Sequence, residues 1–114
     1  MEYASFLASY KRRWAEQARQ ARERCAGLRE TAKELAGICR SFGARRVLLF
    51  GSVVRGSVRP GSDLDLAVEG VAPDRFFDLY GTLLTAAGVP LDLVDLDDAP
   101  TSLRACIEQQ GVPL

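Results

Sequence analysis

Two aspartates separated by one residue, Asp63 and Asp65, are the part of this sequence best suited to chemistry. They begin the segment Asp63–Val68, whose acidic and apolar residues alternate as in a β-strand with one buried face. Residues i and i+2 of a strand point to the same face, about 7 Å apart, so both carboxylates would project together. Mg²⁺ prefers oxygen ligands and usually keeps substrate phosphates in its coordination shell. The pair therefore predicts a magnesium site for a phosphate-bearing substrate.

A glycine–serine pair, Gly51 and Ser52, precedes Asp63 with ten residues in between. The pair ends the apolar run Val47–Phe50, which has the length of a strand. Gly51 lets a ligand approach the backbone closely, and Ser52 supplies a hydroxyl and an amide at the start of a predicted helical turn. An isolated Asp-x-Asp would favour an exposed, acid-decorated strand, whereas a phosphate-binding turn beside it indicates nucleotide chemistry.

The pattern Gly-Ser-x10-Asp-x-Asp resembles the signature of the polymerase-β-like nucleotidyltransferase superfamily. The flanking Arg55-Gly56 and the run Ser62–Leu66 are similar to its minimal (MNT) branch, the antitoxin partners of HEPN toxins. The signature covers roughly a fifth of the chain. Val54 departs from the family pattern, which commonly has Ala before the Arg, and this departure concerns the shape of the loop rather than the metal site.

A third predicted strand, Leu91–Leu96, carries two more aspartates on opposite faces, because successive residues of a strand alternate. Asp92 shares its face with Val94 and Leu96, and Asp95 lies on the other face. The family resemblance places a third carboxylate at the first acid of such a strand, which is Asp92. Taken alone, Asp92 would be an exposed strand acid.

The resemblance implies a Mg²⁺-dependent transfer of AMP from ATP to a hydroxyl. The catalytic residues would be Asp63, Asp65 and Asp92, which would also hold two Mg²⁺ ions around an in-line displacement. Asp92 would serve in addition as the base for the acceptor hydroxyl. The sequence contains no histidine, so acid–base work must fall to carboxylates.

Four further residues are expected to bind the nucleotide. Gly51 and Ser52 would hold the β- and γ-phosphates that leave as pyrophosphate. Arg55 is a candidate for stabilising the developing charge, with a surface arginine as the alternative. Ser62 either contacts phosphate or caps the turn that precedes Asp63.

The segment Tyr3–Phe42 is predicted to form one long helix, because its apolar residues recur at spacings of four and three. They are Trp14, Ala18, Ala21, Cys25, Leu28, Ala32, Leu35, Cys39 and Phe42. Such a helix would run about 60 Å, roughly twice the diameter of a compact domain of this size. We therefore divide the chain into an N-terminal helical arm, residues 1–27, and a minimal nucleotidyltransferase domain, residues 28–114. The arm either bends back or projects, for self-association or for docking a partner.

The remaining pattern predicts two helices and an edge strand. Pro73 opens a helix that Gly88 closes. Its apolar residues are interpreted as core rather than as a base-stacking pocket: Phe76, Phe77, Leu79, Tyr80, Leu83 and Leu84. Pro100 begins a last helix, and three of its residues are predicted to face inward: Leu103, Cys106 and Ile107. The segment 112–114 is predicted to form a short edge strand, where proline is tolerated.

The predicted fold class is therefore α/β (α+β), the nucleotidyltransferase fold. It would consist of a small mixed, twisted sheet with helices packed mostly on one side and a long N-terminal helix. With 114 residues, the chain is long enough for one domain with one core.

Composition excludes several classes of protein. The absence of histidine excludes His-based triads and His-containing zinc sites. Three scattered cysteines, with no Cys-x-x-Cys, indicate small core residues in a reducing compartment. No run is long enough to span a membrane and no apolar leader opens the chain, so we expect a cytoplasmic protein.

The net charge is zero, but the charges are unevenly spread. Lys11 to Arg46 contains eleven basic residues against four acids, and Val47 onward contains four arginines against ten acids. The basic half suits nucleic acid or an acidic partner, with a solvated helix face as the alternative. Glu residues interrupt it and no aromatic ladder accompanies it, so the direct nucleic-acid signal is not strong.

The chain has no room for a separate acceptor-binding domain, so another protein should bring the acceptor. The resemblance identifies that partner as a HEPN-domain RNase toxin whose tyrosine is modified and silenced. Two alternatives remain: a binding-only antitoxin that masks the toxin without chemistry, and a nucleotidyltransferase for a small molecule or an RNA end. The three acids favour catalysis over masking, and the small size disfavours the last alternative.

Overall fold

The computed structural model of the protein describes residues 2–114, which form four helices and four strands. In chain order they are α1 (Glu2–Ser41), β1 (Arg46–Phe50), α2 (Ser52–Arg55), β2 (Leu64–Glu69), α3 (Pro73–Ala87), β3 (Leu91–Asp95), α4 (Thr101–Gln110) and β4 (Val112–Pro113). The α/β class, the order of elements and the short C-terminal strand agree with the prediction.

The four strands form one mixed sheet in the order β3-β2-β1-β4. β1 is antiparallel to both β2 and β4, whereas β2 and β3 are parallel and are connected through α3. β4 contains Pro113 and lies at the edge of the sheet, where a missing backbone donor is tolerated. The central strands position part of the predicted site, because Asp65 lies on β2 and Gly51 directly follows β1, while Asp92 lies on the edge strand β3.

One face of the sheet is covered by α1 and α3. Leu49 of β1 and Leu66 of β2 pack in one buried cluster with Leu35 of α1 and with Leu79 and Leu83 of α3. All five side chains are almost fully buried, and each such leucine contributes on the order of 1.5–3 kcal/mol to folding. This cluster is the main core.

Within the described residues, the opposite face of the sheet is covered only by α4. Leu48, Ala67 and Leu96 pack there against Ile107 of α4. Arg104 fixes the helix to the sheet, because its guanidinium donates a 2.9 Å hydrogen bond to the Leu96 carbonyl and pairs with Glu69. The prediction that helices lie mostly on one side therefore holds for all helices of the described chain except α4.

α1 is continuous over 40 residues and passes through Gly27 and Gly37 without a break. The described chain measures 66 × 29 × 17 Å because the N-terminal part of this helix projects beyond the rest. Four aromatic side chains on it, Tyr3, Phe6, Tyr10 and Trp14, are each more than half exposed. Despite its length, neither α1 nor any other helix within residues 2–114 is apolar enough to cross a membrane.

Contacts between α1 and the domain reach back to Cys25. Its thiol donates a 3.2 Å hydrogen bond to the Val53 carbonyl of α2, and Arg29 donates to the same oxygen at 3.4 Å. The division into an arm at 1–27 and a domain at 28–114 stays a prediction, and Met1 lies outside the described residues. One residue of the predicted arm, Cys25, and one residue of the predicted domain, Arg29, both contact the Val53 carbonyl.

The interpretation of every apolar residue of α3 as core was wrong in part. Leu79 and Leu83 are buried, but Phe77 is 79% exposed and Leu84 is 48% exposed. α3 forms a single outer layer on the sheet, so only the side that faces the sheet and α1 is covered. Phe77 and Leu84 therefore form a strip on its outer side.

We predict that deletion of residues 1–24 leaves a folded domain. The deleted side chains contribute nothing to the main cluster, and Cys25 and Arg29 keep their contacts with Val53. The melting temperature, followed by circular dichroism, should fall by less than about 5 °C, which corresponds to about 1 kcal/mol for a domain of this size. An unfolded or insoluble product would show instead that the arm belongs to the core.

Candidate active site

The register of the sheet places two of the predicted carboxylates side by side. Phe50 of β1 lies opposite Asp65 of β2, and Asp65 lies beside Asp92 of the parallel strand β3. Partners in one row of a sheet point to the same face. Asp63 precedes β2 by one residue and is exposed. The three acids thus meet at one end of the sheet.

Asp95 is separated from this group by strand parity. Its side chain belongs to the opposite face from Asp92, as predicted. There its Oδ1 accepts a 3.0 Å hydrogen bond from the Asp97 amide and stabilises the turn that follows β3. Asp92 and Asp95 therefore form a matched pair, one at the site and one in a turn.

The carboxylate of Asp65 is held in an unfavourable environment for its charge. Burial raises its pKa, and repulsion from Asp92 and from Asp63 raises it further, while the guanidinium of Arg55 opposes the shift. Three carboxylates that repel one another at the edge of a sheet are a suitable place for a cation. The same arrangement brings Arg55 into electrostatic reach of the acids.

Gly51 is required by the position of Asp65. It joins β1 to α2 with φ of 80°, a conformation that other residues rarely adopt. A Cβ at this position would overlap Asp65 Oδ2 and would lie 2.9 Å from Asp65 Cγ. The turn and the second carboxylate of the motif therefore fit together only because residue 51 has no side chain.

Ser52 and Ser62 occupy different environments. Ser52 begins α2, and its carbonyl accepts a hydrogen bond from the Gly56 amide that closes this short helix. The hydroxyl of Ser62 accepts a 2.7 Å hydrogen bond from the Arg59 amide, and the Ser62 amide donates back to the Arg59 carbonyl. Of the two expectations for Ser62, this geometry favours the turn cap.

A cavity of about 300 Å³ opens next to the acids. Three predicted residues line it: Gly51, Arg55 and Asp65. Its other wall comes from Phe50 and from α4, through Leu103, Cys106, Ile107 and Gln110.

The sequence did not predict that α4 lines this cavity. Leu103 and Cys106 were predicted to face inward, but both are exposed and line this cavity, whereas Ile107 is buried. A helical pattern cannot distinguish a side chain in the core from one that faces a cavity beside it. The one available signal was the mixed character of this helix, whose Gln110 lies on the same side one turn after Cys106.

The donor set fits a hard divalent cation. Within residues 2–114, no three acidic or thiol side chains already converge as a metal site made by protein alone. Mg²⁺ is usually held by one or two carboxylates together with substrate phosphates, so a complete protein cage is not needed. Asp65 and its neighbours Asp63 and Asp92 are the residues that would hold it.

Comparison with known families gives one assignment. The family model described as "Polymerase beta, Nucleotidyltransferase" matches residues 33–114. This range contains every residue of the site described above and excludes the projecting part of α1. A search among curated proteins found no match.

Several solved structures are similar to this chain. A minimal nucleotidyltransferase is 32% identical with a TM-score of 0.68, over 79% of this chain and 95% of that one. A toxin–antitoxin complex crystallised with AMP-PNP is 28% identical with a TM-score of 0.64, over 72% and 70%. A complex of a tri-AMPylated Shewanella oneidensis HEPN toxin with its MNT antitoxin is 24% identical with a TM-score of 0.59, over 75% and 70%, and it supports the fold alone.

Gly51 and Gly56 flank the short helix α2 and allow a matched comparison of two glycines with positive φ. Gly51→Ala should destabilise the fold by more than about 2 kcal/mol, because a positive φ and an overlap with Asp65 combine. Gly56→Ala is the matched control. Its φ is 74° with open space around it, so it should cost only roughly 1–2 kcal/mol. Urea denaturation measures both, and equal losses would contradict the proposed fit between Gly51 and Asp65.

The charge of Asp65 should make the stability of the fold depend on pH. Since its folded pKa is raised above the ordinary 3.8, protonation of Asp65 stabilises the fold, and that stability is lost as pH rises through the folded value. Asp65→Asn should therefore raise the melting temperature at pH 7, by about 1–3 °C. The gain should shrink as pH falls towards 4. Asp78→Asn on the exposed side of α3 controls for net charge, and a gain independent of pH would contradict the assignment.

Proposed function

Since this chain belongs to the polymerase β nucleotidyltransferase family, we propose that it transfers AMP from ATP to a hydroxyl of a HEPN-domain toxin and thereby acts as the antitoxin. The acceptor is a tyrosine in this proposal. The observation that carries it is the row of Asp65 and Asp92 beside the Gly51 turn, next to a cavity that Gly51, Arg55 and Asp65 line. A similar solved structure, a toxin–antitoxin complex with the ATP analogue AMP-PNP, supports both the nucleotide and the partner.

The nucleotide is held by the turn between β1 and α2. The Gly51 backbone and the Ser52 hydroxyl and amide bind the β- and γ-phosphates, at a place where no Cβ blocks the backbone. Arg55 lies at the same cavity and offsets part of the negative charge of the phosphates. Ser62 acts indirectly, by holding the turn that leads into Asp63.

The carboxylates Asp63, Asp65 and Asp92 supply the ligands for the cation. When bound there, Mg²⁺ stabilises the charge on the attacking and leaving oxygens of an in-line displacement. Asp92 accepts the proton of the acceptor hydroxyl, since it is the exposed member of the row and faces solvent, from which the acceptor arrives. The acceptor oxygen forms its bond to the α-phosphorus as the bond to the β-phosphate oxygen breaks, and pyrophosphate leaves.

The acceptor enters from outside the described chain. The cavity beside Asp65 is open and its outer wall is the apolar and amide surface of α4. That cavity has the size of a side chain or a base rather than of a whole substrate domain. A partner that presents a tyrosine on a protruding segment fits it, and we place this reaction in the cytoplasm, where such a partner is made.

The proposal is tested by incubating the protein with its HEPN partner, Mg²⁺ and each of the four nucleoside triphosphates, followed by intact mass spectrometry. ATP should add one AMP unit or more to the partner, on a tyrosine located by peptide mapping. Asp65→Asn and Asp63→Asn should abolish transfer and remain folded, because each removes an anionic ligand with little change in volume. Undiminished transfer in either variant would show that the site is elsewhere.

Asp92 and Asp95 give a matched comparison for the role of a base. Asp92→Asn should lower the transfer rate by about 10²–10⁴-fold, whereas Asp95→Asn should have a mild effect, because Asp95 lies on the other face of the sheet. The reverse result would show that the register of β3 has been assigned wrongly.

Growth rescue separates catalysis from masking. Co-expressed with the toxin, Asp65→Asn should still form the complex but should fail to restore growth. Full rescue by this variant would mean that the protein silences its partner by binding alone.

A further inference from the structure

The projecting part of α1 presents an apolar strip that nothing in the described chain covers. The strip consists of Tyr3, Phe6, Tyr10 and Trp14, whose exposed fractions are 74%, 60%, 57% and 65%. It continues, on the same side of the helix, the stripe that is buried against the sheet further along. We call it the arm strip. A contiguous apolar strip of this kind is typical of an interaction surface.

A second uncovered strip lies on the outer side of α3. It consists of Phe77, Gly81 and Leu84, which recur at helical spacing on one face. Phe77 is the most exposed large apolar side chain among the described residues, and open space surrounds Gly81. We call it the α3 strip. Its glycine would let another helix approach closely.

The two strips are flanked by charges of opposite sign. Lys11 and Arg13 lie on either side of the arm strip, and Arg13 shares a shallow groove with its aromatic rings. Asp74 and Asp78 are exposed along one side of the α3 strip. None of these four side chains forms an ion pair within residues 2–114. The two strips are therefore complementary: both are apolar, and the charges beside them are opposite in sign.

The two strips cannot meet within one molecule. α1 and α3 run in opposite directions, because Arg75 at the start of α3 lies 4.6 Å from the Phe42 ring while Val89 after its end shares a cavity with Leu28. The arm therefore extends past the end of α3, away from its outer side. α1 is one unbroken helix and cannot fold back.

We propose that the arm strip docks on the α3 strip of a second copy of this chain, and that the exchange is reciprocal. A two-fold axis makes the two contacts identical, as in most homodimers. Pairing between the two arms is disfavoured, because Lys11 and Arg13 of both copies, which flank the strip, would be brought together. Lys11 and Arg13 would instead face Asp74 and Asp78, which favours fast association and a single register.

The surface available is sufficient for a stable dimer. An aromatic side chain buries roughly 150–250 Å² when it is fully covered. Four of them, each more than half exposed, together with Phe77 and Leu84, supply several hundred Å² in one contact. Since the contact occurs twice, the total reaches the roughly 1,200–2,000 Å² of a specific interface. Trp14 is the natural anchor, because tryptophan and arginine dominate interface energies.

Analytical ultracentrifugation of the full chain from about 1 to 100 µM, without any partner protein, tests the proposal. The parent should dimerise, and Trp14→Ala or Phe77→Ser should each raise the dissociation constant at least about 10-fold. Both side chains are exposed, so circular dichroism should show unchanged folding. A mixture of the two variants keeps one undamaged contact and should associate more tightly than either variant alone.

Charge variants supply the matched control. Arg13→Glu should weaken the dimer about 10-fold, whereas Arg12→Glu, on the far side of α1 from the strip, should change it less than about 3-fold. Combining Arg13→Glu with Asp78→Arg should restore association. A parent that stays monomeric throughout, with the arm needed only to capture the toxin, would overturn the proposal. So would a dimer that survives Phe77→Ser, because the arms would then pair with each other.

Discussion

The approach of the Gly51 backbone to the Asp65 carboxylate is the constraint on which the site depends. β1 must end where β2 presents Asp65, and the register that pairs Phe50 with Asp65 fixes that position. The same register carries Asp92 alongside through the parallel pairing of β2 and β3. The Gly51 turn, Asp65 and Asp92 are therefore held by the sheet and not by flexible loops, which keeps their geometry fixed.

This arrangement disfavours the charged form of Asp65 in the folded protein. Asp65 is half-buried close to two other acids, and Arg55 compensates only in part. The main cluster on the opposite face consists largely of buried leucines and valines. Their burial stabilises the fold and offsets this electrostatic repulsion. Destabilising charge at the site and apolar burial behind it are typical of enzymes, in which stability and activity place opposite demands on the same residues.

Much of the fold and of the candidate site could be predicted from the sequence. The face on which a strand residue lies and the conformation of a glycine both depend on neighbouring residues in the chain. Asp65, Asp92 and Asp95 fall on the faces that alternation assigns to them, and Gly51 has the positive φ that its place after a strand suggests. The exposure of Phe77, Leu84, Leu103 and Cys106 could not be predicted. Apolar residues at helical spacing show that a helix has an apolar side, but only the number of packed layers decides whether that side is covered. Here each of these helices is an outer layer, so its second apolar side faces solvent or a cavity.

The position of the single tryptophan has a consequence for how the molecule can be observed. Trp14 lies on the projecting part of α1, 65% exposed and remote from both apolar clusters. Its intrinsic fluorescence therefore reports the environment of the arm and is almost insensitive to changes in the sheet. Thermal unfolding of the sheet and of the helices packed on it would therefore change the tryptophan emission only slightly. A shift of that emission to shorter wavelength, in contrast, would mark the moment at which another surface covers the arm.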